Sequence, residues 1–319
     1  MEEFILMLRN VLVFVALAIP GYILVKLKFL KSEQSGVLSK LLMYVGMPFL
    51  IFVKTAEDIS FNVDFLKAFF FALGVGVVVV LAMFFASKPL TKMEKEQRTR
   101  GVMRFASMFA NNGFLGIPLA MAVFGDDSPA VVMLIVFNIV TNLMMYTLGV
   151  YLITGDRKMM SVKKAVLNPV LIAFLIGVVC NLISAADHVP EVGKFSHEFS
   201  NIVTPISMTI IGMKMGGVKL LALFKGWKMY YVSALKLLVF PVLIVGVLLV
   251  VRTFASDLAS KALILGAFIS FATPTAGLAS AFSDIYDGDV ESAVSFTLGS
   301  TIFSVVTIPV LYWLLCVLL

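Results

Sequence analysis

Apolar residues come in long runs separated by short polar connections, from one end of the chain to the other. The runs have membrane-spanning length. They predict ten helical spans at roughly 4–27, 35–53, 65–87, 100–124, 129–153, 165–186, 201–221, 229–251, 260–283 and 292–318. The connections are short, which favours a compact helical bundle. The second and seventh runs stand out because each carries a mid-span proline and a lysine.

The fourth run is unlike a plain lipid-facing helix. It contains Asn111-Asn112-Gly113-Phe114-Leu115-Gly116-Ile117-Pro118. Glycine relieves backbone crowding, and proline deletes a helix hydrogen bond. At membrane depth such a break is tolerated only where protein or a water-filled cavity satisfies the freed groups. Interrupted helices near the midplane are where secondary carriers bind their solutes. A second interruption is predicted in the ninth run, at Ser270-Phe271-Ala272-Thr273-Pro274-Thr275-Ala276-Gly277.

Composition agrees with this pattern. Hydrophobic residues make up 61% of the 319, and charged residues only 14%. A soluble domain carries about a quarter charged residues, so the chain reads as an all-α polytopic membrane protein. No small-residue cleavage site and polar domain follow the first run, which therefore reads as a retained span. Cys180 and Cys316 both lie in apolar runs and read as small hydrophobes, not as a disulfide or metal pair. The net charge of +6 is spread among loops and does not argue for nucleic acid.

The basic residues orient the chain. With the N-terminus outside, sixteen fall in cytoplasmic loops: Lys26, Lys28 and Lys31; Lys88, Lys92, Lys95, Arg98, Arg100 and Arg104; Arg157, Lys158, Lys163 and Lys164; Lys219, Lys225 and Lys228. Six fall outside: Arg9, Lys54, Lys67, Lys194, Arg252 and Lys261. The bias predicts both termini outside. The acidic stretch Asp284 to Glu291 would be cytoplasmic, but acids count for little in this rule.

An internal repeat is also expected. Asn10 and Asn168 are 158 positions apart, Pro48 and Pro205 are 157, and Phe124-Gly125-Asp126 and Phe282-Ser283-Asp284 are 158. Five spans per half is odd, so residues 156–319 would enter the membrane inverted relative to residues 1–155. The two interrupted spans, four and nine, would then cross near the bilayer centre. Half-helix N-termini there would present unpaired N–H groups to an anion, a setting suited to a carboxylate.

At this point the chain resembles the auxin efflux carrier family, in its bacterial branch. The likeness rests on Asn111 to Leu119, above all Gly116-Ile117-Pro118-Leu119, on the second-span proline and on the ten-span layout. Plant members carry the indole acid auxin, and bacterial members include proposed malate and malonate carriers. The family fold is similar to that of bile acid–sodium symporters. It implies a scaffold of spans 1, 2, 6 and 7, a mobile transport domain of spans 3–5 and 8–10, and an elevator-like motion between them. It further implies Asn112 near the substrate carboxylate, Pro118 at the crossing, Pro274 at the second crossing, and dimerisation through the scaffold. The chain has only Gly155 to Ala165 where plant carriers have a large regulatory loop.

The residues themselves supply further candidates. Asn111 and Asn112 carry amide donors for a substrate oxygen, or else satisfy the broken backbone. Thr273 and Thr275 flank the second break and can meet substrate or a coupled cation, or back-bond to the helix. Asn138, Thr141 and Asn142 share one face of the fifth span, and Thr297, Ser300, Thr301, Ser304 and Thr307 form a similar stripe on the tenth. Gly113, Gly116, Pro118, Pro274 and Gly277 read as backbone devices at the crossing. Arg104 and Lys214 are candidate positive centres for an anion, whereas Lys40 and Lys236 are expected to snorkel to the headgroups.

No carboxylate or histidine is placed at mid-membrane; His188 and His197 fall in an outer loop. The pattern therefore favours organic anions over cation–proton exchange, with coupling to protons or sodium left open. There is no P-loop, dinucleotide fingerprint, nucleophile elbow or metal-ligand cluster, so no enzyme, cofactor or metal site is expected. The expected setting is the lipid of a bacterial inner membrane. The alternatives are a sodium- or proton-coupled symporter of another solute on the same fold, and a membrane ligand sensor or scaffold that carries no flux.

Overall fold

The computed structural model describes residues 2–59, 61–184, 190–219, 223–224 and 226–319. His188 and Lys225 lie outside them. Among the described residues the structure is helical, with one isolated β-bridge and no strand.

The first half contains α1 (Glu2–Lys26), α2 (Ser35–Leu41), α3 (Met47–Ala56), α4 (Val63–Leu90), α5 (Gln97–Met108), α6 (Ile117–Phe124), α7 (Pro129–Met144) and α8 (Val150–Thr154). The second contains α9 (Val162–Val166), α10 (Pro169–Leu182), α11 (Pro190–Asn201), α12 (Val203–Gly217), α13 (Trp227–Ala234), α14 (Phe240–Phe254), α15 (Lys261–Ala272), α16 (Ala279–Ile285) and α17 (Val290–Leu318). Many starts are capped as their sequences direct. The side chains of Asn62, Ser128, Asn168, Ser260 and Asp289 each accept a first-turn N–H. Pro129 and Pro169 follow their caps, where a missing N–H costs nothing.

Three helices widen into a π-turn immediately before a proline. The turns Leu42–Gly46, Asn112–Gly116 and Leu235–Val239 are followed by Pro48, Pro118 and Pro241 at the second position of α3, α6 and α14. A proline ring collides with the carbonyl four residues back and offers it no N–H. Widening the preceding turn moves that carbonyl aside without ending the helix.

Among the described residues, seven helical runs are long and apolar enough to cross a membrane: Glu2–Lys26, Ser32–Ala56, Val63–Leu90, Pro129–Thr154, Arg157–Leu182, Trp227–Phe254 and Val290–Leu318. The seven correspond to the expected spans one, two, three, five, six, eight and ten. The fourth and ninth runs are divided into shorter pieces, and α12 has only 15 residues. A wide belt of large apolar side chains faces outward, including Leu12, Val13, Phe70, Val78, Phe85, Leu243 and Val247. Such a belt is stable only against lipid, and the protein is a multi-pass membrane protein.

Packing joins α1 to α12 and α3 to α10, while α7 sits against α4 and α15, and α13 against α17. The α1–α12 contact is a backbone-to-backbone approach. A Cβ at Gly212 would overlap Ala18 O, and one at Gly21 would overlap Thr209 O. Only glycine permits that closeness. Helix α7 is the most buried of the long runs and forms the centre of the bundle.

The sequence landmarks do not all sit at equivalent places. Asn168 caps α10, whereas Asn10 lies inside α1 and bonds Leu6 O. Phe124 ends α6, but Phe282 is inside α16. Element bounds instead separate α5 from α15 by 164 positions, from 97 to 261 and from 108 to 272. The same separation relates α4, starting at 63 and ending at 90, to the α13–α14 run, starting at 227 and ending at 254.

Candidate functional site

Helix α15 ends where its sequence requires. Thr273 precedes Pro274, and a residue before proline is pushed out of the helical region; its φ and ψ are −68° and 153°. Helix α5 ends at Phe109, also extended at −88° and 124°. Asparagines 111 and 112 and Gly113 follow, all weak helix formers. The two extended segments run antiparallel and pair. Asn111 N donates to Pro274 O at 2.7 Å, and Ala276 N donates to Phe109 O at 2.9 Å, which makes the bridge between Ala110 and Thr275. The freed backbone of one interruption is thus satisfied by the other, in the bundle interior.

Asn112 is the hub beside this crossing and is 3% exposed. Its Nδ2 donates to Thr141 Oγ1 and to Ser270 Oγ, both at 2.9 Å, and its Oδ1 accepts from Asn138 Nδ2 at 2.9 Å. Asn142 Nδ2 in turn donates to Asn138 O at 2.9 Å and to Asn138 Oδ1 at 3.1 Å. The polar stripe of α7 is therefore the support of Asn112. Both N–H groups of the Asn112 amide are already engaged by protein oxygens.

Asn111 is different. Its carboxamide has no hydrogen-bond partner among the described residues, and it lines a pocket of about 50 Å³. The pocket wall also includes Asn112, Asn138, Asn142, Asn168 and Tyr146, with Met43, Met47 and Met145 as the apolar part. Among the described residues, no Asp, Glu, Lys or Arg lines it. The backbone N–H groups of Gly113 and Phe114 also have no acceptor among the described residues, and both residues line the pocket. They open the helical run Asn112–Phe124, whose dipole favours negative charge at this end. Gly277 and Leu278 border the same space from the second interruption. Two wall residues, Tyr146 and Asn168, flank in sequence the segment that carries Arg157, Lys158, Lys163 and Lys164.

The other candidates fall elsewhere. Thr275 Oγ1 donates to Ala106 O at 2.8 Å, and Thr275 N donates to Ser300 Oγ at 3.1 Å. Thr273 Oγ1 lies 3.4 Å from Ser270 O. Both threonines are fully buried, neither borders the pocket, and their hydroxyls satisfy backbone carbonyls. Arg104 turns to α4, where Nε donates to Ser87 Oγ at 3.0 Å and its terminal nitrogen to Phe84 O at 2.9 Å, with the guanidinium over the Phe84 ring. It is not at the pocket wall. Lys214 reaches from α12 to the second interruption, where Nζ donates to Gly277 O at 2.9 Å and lies 3.4 Å from Ser280 Oγ. Gly113 allows close approach to Asn138 Nδ2, and Gly116 lies beside Asn112 and Thr273. Pro118 follows the π-turn that opens α6.

Lys236 departs most from expectation. It does not snorkel; it is 0% exposed, and Nζ donates to Phe271 O at 2.9 Å. Lys40 is exposed, as are Asp126, Asp284 and His197, which pairs with Glu57 at 2.8 Å. Sequence reasoning also missed Asn168 and Tyr146 as wall residues; Asn168, a repeat landmark in the sequence, also caps α10 through Val170 N. A larger apolar cavity of about 340 Å³ separates α1 and α12 from α6 and α17. Its hydroxyls, Thr301 and Ser304, already donate to carbonyls of their own helix.

Residues 6–163 match the family model of a membrane transport protein, that of the auxin efflux carriers. Residues 211–319 match the sodium bile acid symporter family. An uncharacterized transporter of Methanothermobacter thermautotrophicus is 28% identical over 311 residues, 94% of this chain and 96% of its own length. The uncharacterized transporter MJ1031 of Methanocaldococcus jannaschii is 31% identical over 126 residues, 38% of this chain and 39% of its own. These likenesses support a membrane transporter.

Proposed function

We propose that this membrane transporter is a secondary carrier of a small organic anion, a carboxylate such as malate, malonate or an aromatic acid. The observation that carries the reading is the pocket at the crossing. It offers the free Asn111 amide and the free N–H groups of Gly113 and Phe114, and no carboxylate lines it. Donors without acceptors, at the positive end of a helix, suit an anion. Lys214 adds a positive charge one carbonyl away, at Gly277. In this reading Asn111 contacts the carboxylate, and Asn112, whose amide is engaged, holds the crossing in register for it. A pocket of about 50 Å³ admits a group of carboxylate size, so the rest of the substrate extends toward the Asn168 side.

The proposed transport motion is of the elevator type, and the helix partnering supports it. The pairs α1–α12 and α3–α10 form the scaffold, spans 1, 2, 6 and 7. The remaining six spans form the moving body, which slides against it. The ten-span inverted repeat, 1–155 and 156–319, is supported by the 164-position separation of α4 and α5 from their counterparts. The protein works in the cell membrane with both termini outside and the basic loops in the cytoplasm. Paired scaffolds would form a homodimer.

A second reading, a sodium- or proton-coupled symporter of another solute, is favoured by the sodium bile acid symporter match over 211–319. Uptake of labelled malate and malonate into proteoliposomes, with unlabelled acids as competitors and with imposed pH or sodium gradients, separates the two. Saturable uptake that carboxylic acids compete supports the anion carrier. Strict sodium dependence favours the symporter. Ligand binding without flux indicates a sensor.

A further inference from the structure

Burying an ammonium in a membrane protein is costly unless a partner compensates it. Lys236 lies on the π-turn between α13 and α14 and is wholly buried. It has no ion pair among the described residues. Helices α5, α15 and α17 pack against its turn. Their sequences contain a single carboxylate, Glu291, in the first turn of α17. Arg104 on α5 is occupied with α4. What faces Nζ is Phe271 O, at 2.9 Å, in the last turn of α15.

That carbonyl belongs to the negative end of a half-helix that stops in the bundle interior. The two carbonyls before it are already used: Ile269 O accepts Thr273 N, and Ser270 O faces Thr273 Oγ1. Helix C-terminal carbonyls at such interruptions are where carriers coordinate a coupled monovalent cation. The other half-helix, α5, has its carbonyl at Ala106 taken by the Thr275 hydroxyl. One carbonyl end is thus closed by a neutral donor and the other by a lysine.

We infer that Lys236 is a tethered cation for the carbonyl end of α15, filling the position a free monovalent cation would take, so that the crossing assembles without sodium. The lysine holds Phe271 O one residue from Ser270, the residue that bonds Asn112. The inference concerns the crossing itself and stands whatever the substrate is.

The test is thermal unfolding of the purified full-length protein in detergent. Choline chloride is replaced by sodium chloride or ethylammonium chloride at equal concentration. The wild type is expected to shift by less than about 1 °C. Lys236→Ala, with the ammonium deleted, is expected to be less stable and to rise by about 3 °C or more with sodium or ethylammonium. A Lys236→Ala protein that responds to neither cation overturns the inference, as does a response equal to that of the wild type. If Lys236→Ala does not fold, Lys236→Met takes its place. It keeps the apolar stem without a donor or a charge and is expected to gain the same cation response; an unresponsive Lys236→Met overturns the inference.

Discussion

Asn112 on the first interrupted run donates its amide to Ser270 on the second, at 2.9 Å and 158 residues away. With the backbone pairing of Ala110 and Thr275, this ties both interruptions into one unit. Asn138 and Thr141 of α7 close the network around it.

Asn112→Ala leaves Asn138 Nδ2 without its Asn112 acceptor and frees two hydroxyls in the interior. It is expected to destabilise the protein by about 1–3 kcal/mol. Ser270→Ala, which removes one of the three bonds, is expected to cost about 0.5–1.5 kcal/mol. The double mutant should cost less than the sum, because the two residues share a bond. Thermal or denaturant unfolding of the four proteins in detergent measures this.

Asn111→Ala should behave in the opposite way. Its side chain has no partner to lose, so the melting temperature should stay within about 2 °C of wild type. Uptake efficiency should fall by about tenfold or more, since a hydrogen bond to a charged group is worth about 1.5–3 kcal/mol. Normal uptake by a folded Asn111→Ala protein removes this residue from the site.

Arg104 and Lys214 are both cations near interrupted helices, and their contacts set them apart. Lys214→Met is expected to raise the substrate KM about tenfold, because the charge beside Gly277 is lost. Arg104→Met is expected to leave KM unchanged and to lower stability, because it loses bonds to Phe84 and Ser87. Uptake kinetics and melting temperatures of both variants decide it.

Outside the membrane, the hydrogen bond from Lys228 holds the Glu94 carboxyl below its ordinary value, against the opposing effect of burial. A lowered folded pKa contributes stability that is full above the unfolded value, near 4.5, and is lost as pH falls through the folded value. Glu94→Gln should therefore flatten the acid limb of a stability–pH curve below about pH 5 and lower stability at pH 7. Unfolding of both proteins between about pH 3 and 7 measures it.

The amino-acid order alone determined the class of the molecule. Hydropathy is a local property, so the apolar runs, the charge-poor interior and the helix caps at Ser128, Asn168 and Ser260 can be read without any tertiary information. So can the places where a helix is strained, since Pro118 and Pro274 act on the residues just before them. The transporter likeness is carried by the same local signals, and it agrees with the two family models.

What each polar side chain does was decided only by the fold. Asn111 and Asn112 are chemically identical neighbours. One is engaged because Asn138, Thr141 and Ser270 meet it from other helices, while the other faces the pocket. Thr273 and Thr275 bond carbonyls, Arg104 serves α4, and Lys236 is buried where its long stem could equally have reached the headgroups. A side chain's direction depends on which face of its helix another helix covers. That is set by contacts between residues far apart in the chain, and no local pattern contains it.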